Sequence, residues 1–396
     1  MGRARACSTV VGRFAGPEAN ELSILCHPTD RSGDAARQAE GIYRELAAFL
    51  AAERASFRDL TCERLFLRDI RRDLPLVLGA RTQMLADLGQ GADAPSPVCI
   101  QQAPDAAHAT FELAASVVIP RRRDAWTVRD VPAAPSCACE GCRRSAARLV
   151  RLGDQTSLYT SNVHGVGNNP LEEASSMFRE AERLLEQCGM GFADVVRTWI
   201  HLRDIARDYD ALNQARREFF GARAVEPRPA STGVQGGPFP DAHDFSMSLS
   251  AVRSSRPLGR TRMSTPTLAE AWSYGADFSR GLRVIESNRV TLHVSGTASI
   301  DEAGRTVHVG DLEGQVGRML HNVESLLAEE SATVAHVLSG IAYLKHVDDA
   351  PVVRAMLRER GFDGFPCAVV EAPLCRPELL CEVEAVAALP LATARA

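Results

Sequence analysis

From Leu379 to Val386 apolar and polar side chains alternate. Leu379, Cys381, Val383 and Ala385 fall on one side, and Leu380, Glu382, Glu384 and Val386 on the other. A period of two is that of a strand with one face packed on a core. Pro377 fixes φ and donates no hydrogen bond, so it suits the entry to such a strand. Elsewhere the period is that of a helix. Val316, Met319, Leu320, Val323, Leu326 and Leu327 lie three and four residues apart and make one apolar stripe over Leu312–Glu329. Ala36–Ala52 and Leu171–Cys188 carry the same spacing.

These helices belong to a repeat. Phe57-Arg58-Asp59-Leu60 leads into the strand-like run Leu65–Ile70, Phe192-Ala193-Asp194-Val195 into Trp199–Ile205, and Val334-Ala335-His336-Val337 into Ile341–Val347. A hairpin pattern precedes each first helix, at Thr9–Cys26, Arg148–Val163 and Arg283–Ile300. A second helix follows each middle strand, at Tyr209–Phe220 and Ala350–Arg360, with a glycine-blurred counterpart near Leu74–Leu88. Strand pairs close the copies, as in Cys99–Gln102 with Thr110–Val118 and Ala368–Glu371 with Leu379–Ala387. The order β-β-α-β-α-β-β thus recurs at a spacing of roughly 140 residues. It predicts an α+β fold of three tandem units, 1–120, 146–253 and 269–390, whose sheets cover one another around an axis as an intrachain pseudo-trimeric barrel. The stretches 121–145 and 254–268 read as linkers.

Composition narrows the function classes. A net charge of −5 without a long basic run argues against a nucleic-acid partner. No apolar run has membrane-spanning length, and the first residues lack the apolar core of a secretion signal. Eleven scattered cysteines then fit reduced thiols in a cytoplasmic protein. Cys137, Cys139 and Cys142 are clustered, but no fourth ligand stands at the usual spacing, so no metal is expected and serine is expected to replace them without loss. Phosphate loops, dinucleotide fingerprints and nucleophilic triads are missing, so no cofactor is expected.

The chemistry concentrates in the third unit. Glu382 and Glu384 share a strand face a few residues after Arg376, an arrangement able to hold a carboxylate and move a proton. A structural Arg–Glu network is the competing reading. Ala276-Asp277-Phe278-Ser279-Arg280-Gly281 and Leu292-His293-Val294-Ser295-Gly296 resemble the leading loop and the strand-to-turn signature of the Rid/YjgF family, small trimeric proteins of chorismate mutase-like fold. Ser295-Gly296-Thr297-Ala298-Ser299-Ile300 and Cys375–Glu384 resemble the chorismatase branch of that superfamily.

That resemblance implies a cleft between units that takes a small carboxylate substrate. It implies Glu382 as proton donor and Arg376 as carboxylate clamp, with Arg280 on a second carboxylate. Phe278, Ser295, Gly296, Cys375 and Glu384 would complete the substrate site, and Cys375 leans toward the hydroxybenzoate-forming branch. Three functions follow as expectations. The first is cleavage of the enolpyruvyl group of chorismate, to pyruvate and a hydroxybenzoate or dihydroxycyclohexadienoate. The second is hydrolysis of enamines or 2-imino acids, as in Rid deaminases. The third is non-catalytic ligand binding or assembly. One chain is expected to act as a monomeric pseudo-trimer, with association of chains left open.

Overall fold

The computed structural model describes residues 7–91, 93–134, 137–144, 146–239 and 242–391. The first unit runs β1 (Cys7–Ala15), β2 (Ala19–Pro28), α1 (Ala35–Ala52), β3 (Leu60–Leu67), α2 (Ile70–Asp87), β4 (Val98–Gln101) and β5 (Phe111–Pro120). The second runs β6 (Trp126–Pro132), a short α3 (Glu140–Arg143), β7 (Ala146–Leu152), β8 (Gln155–Thr160), α4 (Pro170–Gln187), β9 (Val195–Leu202), α5 (Ile205–Ala222), β10 (Ala230–Gln235) and β11 (Phe245–Ser254). The third runs β12 (Gly259–Met263), β13 (Gly281–Ile285), β14 (Arg289–Ala298), α6 (Leu312–Glu329), β15 (Val337–Leu344), α7 (Ala350–Glu359), β16 (Cys367–Glu371) and β17 (Cys381–Pro390).

Local chemistry sets the helix starts. Asp34, Asp69, Asn169, Asp204 and Asp311 each accept a hydrogen bond from the backbone N–H three residues on, satisfying an otherwise orphaned donor. The stripe of α6 is fully buried and packs on Leu379, Cys381, Val383 and Ala385, the apolar face of the last strand. Helix α2 begins earlier than its blurred pattern indicates. The Asp69 cap starts it, and buried Leu74, Val77 and Leu78 hold it together across Pro75.

Each unit builds its own sheet in one strand order: β2-β5-β3-β4, β8-β11-β9-β10 and β14-β17-β15-β16. In each, the middle and penultimate strands are parallel and joined by a crossover helix. The stretches expected as linkers are more ordered than that. They contribute β6 and β12, antiparallel to β7 and β13 at the sheet edges.

The expected barrel is not closed by hydrogen bonding. The described strands form three separate sheets, of five, six and six strands, whose helix-free faces meet around a central cavity of about 180 Å³. Short backbone bridges stitch the seams, at Gln101 with Gly237, Ala230 with Ser279 and Pro104 with Val370. Every seam is therefore made within one chain.

Candidate active site

The seam between the second and third units holds the site. The pairing of β14 with β17 shifts register between Val294 and Thr297, so the Ser295-Gly296 pair bulges opposite Glu384. Glu382, opposite Ala298 beyond the bulge, turns its carboxyl into the space that Gly296 leaves empty. Only 6% of Glu382 is exposed. Burial pushes its carboxyl up to about 8, helped by the negative charge of Glu384 and opposed by Arg280 and Arg197. It is a protonated acid at neutral pH.

Three arginines line the same cleft, two of them from the third unit. Arg376 sits on the turn before β17, where Nη1 donates to the Gly304 carbonyl at 2.9 Å and to Thr306 Oγ1 at 3.3 Å. Arg280 donates through Nε to the Ala269 carbonyl at 2.8 Å, and its Nη2 is buried without a hydrogen-bond partner among the described residues. The third, Arg216, comes from α5 of the second unit. It is 2% exposed, and its Nε also lacks a partner among the described residues. Guanidinium groups and rings alternate along this wall. Phe278 lies 5.5 Å from Arg216 and 5.6 Å from Arg280, and Tyr274 lies 5.1 Å from Arg280 and 4.8 Å from Arg376. The rings space the positive groups and provide cation–π contact.

Cys375 and Tyr209 face each other across the seam. Burial pushes the Cys375 thiol up to about 12, so it is a small neutral group hydrogen-bonded by Tyr209. Arg228 of the second unit donates to Asp277 at 2.8 Å and pins the leading loop of the third.

The cleft thus brings together Glu382, Arg376, Arg280, Phe278, Gly296 and Cys375. Two expected members stand outside it. Glu384 lines the central cavity, where it accepts from Arg197 at 2.8 Å, Trp199 Nε1 at 2.6 Å and the Tyr343 hydroxyl at 3.1 Å. Its oxygens are taken, as in the structural Arg–Glu reading. Ser295 is fully buried, donating to the Ser279 carbonyl at 2.6 Å and accepting from the Ser231 N–H at 2.9 Å, so it fastens the two units together. Gly296 also differs from expectation, because the room it leaves is filled by Glu382 rather than kept for a ligand.

Sequence reading missed Arg216, Tyr209 and Tyr274. Arg216 carried a signal. Tyr209, Leu212, Arg216 and Phe219 are spaced as a buried helix stripe, and a charge within such a stripe needs a reason. The equivalent arginine of the first unit, Arg81, has one, since it binds Glu63 at 2.8 Å. The central cavity is larger than the cleft, but its carboxylates are engaged, Glu384 as above and Glu21 with Arg289; Arg64 on its wall lies over the Trp199 ring at 4.4 Å, with its Nε unpartnered among the described residues. A second cluster lies away from the cleft. The fold brings His243 to Cys137, Cys139 and Cys142, supplying the fourth donor that their local sequence lacks.

Known proteins resemble the chain in sequence and in fold. The family described as Endoribonuclease L-PSP matches residues 148–252. A 3-hydroxybenzoate synthase of Streptomyces hygroscopicus is 28% identical over 236 residues, which is 51% of this chain and 65% of that protein. A chorismatase of Streptomyces rapamycinicus is 26% identical over 231 residues, 50% of this chain and 65% of that protein. The chain thus spans 65% of the length of each of these curated relatives. A crystal structure of a chorismatase superposes with a TM-score of 0.54 at 18% identity, covering 70% of this chain and 82% of that one. Among the described residues, no helix is long and apolar enough to cross a membrane. The chain carries a Rid/YjgF (endoribonuclease L-PSP) domain within a triplicated α+β architecture and is a homologue of chorismatases, whose fold it shares.

Proposed function

We propose that the chain is a chorismatase-type enzyme that cleaves the enolpyruvyl ether of chorismate. The observation that carries this reading is a protonated, buried Glu382 in one cleft with Arg216, Arg280 and Arg376, two of which have buried nitrogens without partners among the described residues. Chorismate has two carboxylates for such groups and an electron-rich methylene carbon for the acid. Arg376 and Arg280 hold the carboxylates through paired N–H donors, and Arg216 adds positive charge from the far side of the seam.

Glu382 then gives its proton to the methylene carbon, leaving an oxocarbenium ion at the ether carbon. Water adds there, and the hemiketal collapses to pyruvate and a dihydroxycyclohexadienoate, one water being consumed. Formal loss of one water from that diol gives a hydroxybenzoate, so the two outcomes differ by dehydration and aromatisation. Glu382 regains its proton from the added water. Cys375, small and neutral beside Tyr209, borders the ring and shapes which course is taken. The free space in the cleft is about 30 Å³, so substrate enters as Phe278 of the leading loop and Tyr274 just before that loop move aside.

The test incubates the purified chain with chorismate and follows pyruvate by lactate dehydrogenase coupling and the ring product by mass. Equimolar pyruvate and ring product are expected. Absence of pyruvate, with hydrolysis of an enamine generated from an amino acid, would replace this reading by the deaminase. Absence of both would leave a binding protein.

A further inference from the structure

We propose that Cys137, Cys139, Cys142 and His243 bind one structural zinc ion that fastens the connection between the first and second units to the core of the second. The three cysteines lie between β6 and β7, and His243 stands two residues before β11, 101 residues after Cys142. The three sulfurs and the histidine nitrogen all lie within 4.8 Å of one another. His243 Nε2 is 3.1 Å from Cys139 Sγ and 3.4 Å from Cys142 Sγ. Ligand atoms around tetrahedral zinc, with bonds of about 2.3 Å to sulfur and 2.0 Å to nitrogen, stand about 3.5–3.8 Å apart. The cluster has nearly that size already.

The surroundings are those of a metal site rather than of incidental thiols. Backbone N–H groups point at two of the sulfurs, from Cys139 to Cys137 Sγ at 3.4 Å and from Cys142 to Cys139 Sγ at 3.3 Å. Such donors stabilise the thiolate form that metal binding requires. His243 is 4% exposed and its ring is fixed from several sides. It stacks on His164 with ring centroids 4.8 Å apart, and its second nitrogen lies 3.8 Å from Glu173 Oε1. Glu173 in turn accepts from the N–H groups of Asp244 at 2.7 Å and Phe245 at 3.2 Å, and Arg203 holds the His243 carbonyl at 2.6 Å. An imidazole with one nitrogen toward the ligands and the other toward a carboxylate is the usual arrangement around a bound metal. Three soft thiolates with one imidazole select zinc over harder cations, and four protein donors leave no open position for catalysis.

The location says what the ion does. Ser96 of the first unit donates to the Arg144 carbonyl at 2.7 Å, so the cysteine segment touches the first seam, away from the cleft between the second and third units. Zinc therefore contributes to stability and not to the reaction.

The test measures metal in the full chain purified from zinc-supplemented medium. One zinc per chain is expected, released by a thiol-modifying mercurial, with Tm falling by several degrees after chelation and returning with added zinc. Cobalt in its place should give the thiolate charge-transfer and tetrahedral d–d absorption bands. Cys139→Ser and His243→Ala should lose metal, whereas Cys188→Ser should keep it. If the variants fail to fold, the metal content and cobalt spectrum of the unmodified chain decide. A chain free of zinc that shows no cobalt spectrum, or one whose cluster cysteines are joined by a disulfide as purified, would overturn the proposal.

Discussion

A Cβ atom on residue 296 would lie 1.9 Å from Glu382 Oε1 and 2.9 Å from its carboxyl carbon. Gly296 is therefore a condition for where the acid sits, rather than a spare turn residue. Gly296→Ala would drive the carboxyl out of its place, and Thr232 Cγ2, 3.1 Å away, blocks the opposite retreat. We expect turnover to fall about as far as loss of the acid itself, roughly 10²–10⁴-fold. In the double variant with Glu382→Gln the two losses should overlap, because both remove one group. Additive losses in that cycle would separate the glycine from the acid.

Arg216 offers a different diagnostic. Among the described residues Arg216 has no carboxylate partner, so its burial costs stability, a cost that an anionic substrate would offset. Arg216→Met should lower kcat/KM by about 10–100-fold, the worth of a charged hydrogen bond or two. Its Tm should stay level or rise. A variant that melts lower and turns over normally would make Arg216 a structural cation like Arg81.

Much of this fold was legible along the chain, and the reasons are local. The α6 stripe, the Asp and Asn caps and the alternation in β17 are set by neighbours in sequence. The alternation correctly put Glu382 and Glu384 on one face. It could not tell that this face spans two chambers, because a bulge in the partner strand and a wall from another unit divide it. Arg216 showed only as a charge within an apolar stripe, and His243 gave no signal at all, for the same reason. Each acquires its role from a segment far along the chain, and no spacing rule reaches that far.

Glu384 makes the contrast with Glu382 measurable. Its carboxylate is the counter-ion of Arg197, which is only 1% exposed. Glu384→Gln would leave that guanidinium buried without its charge partner. We expect destabilisation of about 3–5 kcal/mol, read as a fall in denaturant midpoint. Turnover per folded molecule should be nearly unchanged at low pH, and its fall with rising pH should begin earlier, because the Glu384 charge that helps raise Glu382 is gone. Loss of activity at unaltered stability would return Glu384 to the substrate site.

Since all three seams form within one polypeptide, the chain should be folded and competent as a single copy. Light scattering across a dilution series should give the mass of one chain, with melting temperature independent of concentration. An obligate trimer of chains, unfolding as it dissociates, would contradict this.

The last prediction concerns pH. The Glu382 carboxyl is raised from 4.5 to about 8 in the folded protein. Between those values the folded chain holds a proton that the unfolded chain has released. This group's contribution to stability is complete below about pH 4.5 and is lost as pH rises through about 8. Wild-type stability should therefore fall over that window relative to Glu382→Gln, whose amide does not titrate. In the proposed reaction the same proton is delivered to substrate, so kcat/KM should fall as pH rises past about 8. Glu382→Gln should lose about 10²–10⁴ in rate while still binding the substrate through its arginines. Both measurements follow one titration, stability by denaturant midpoint and activity by initial rate. If activity falls near pH 8 while the two proteins keep parallel stability curves, the titrating acid is not Glu382. If the Gln variant turns over at the wild-type rate, no proton passes through this residue.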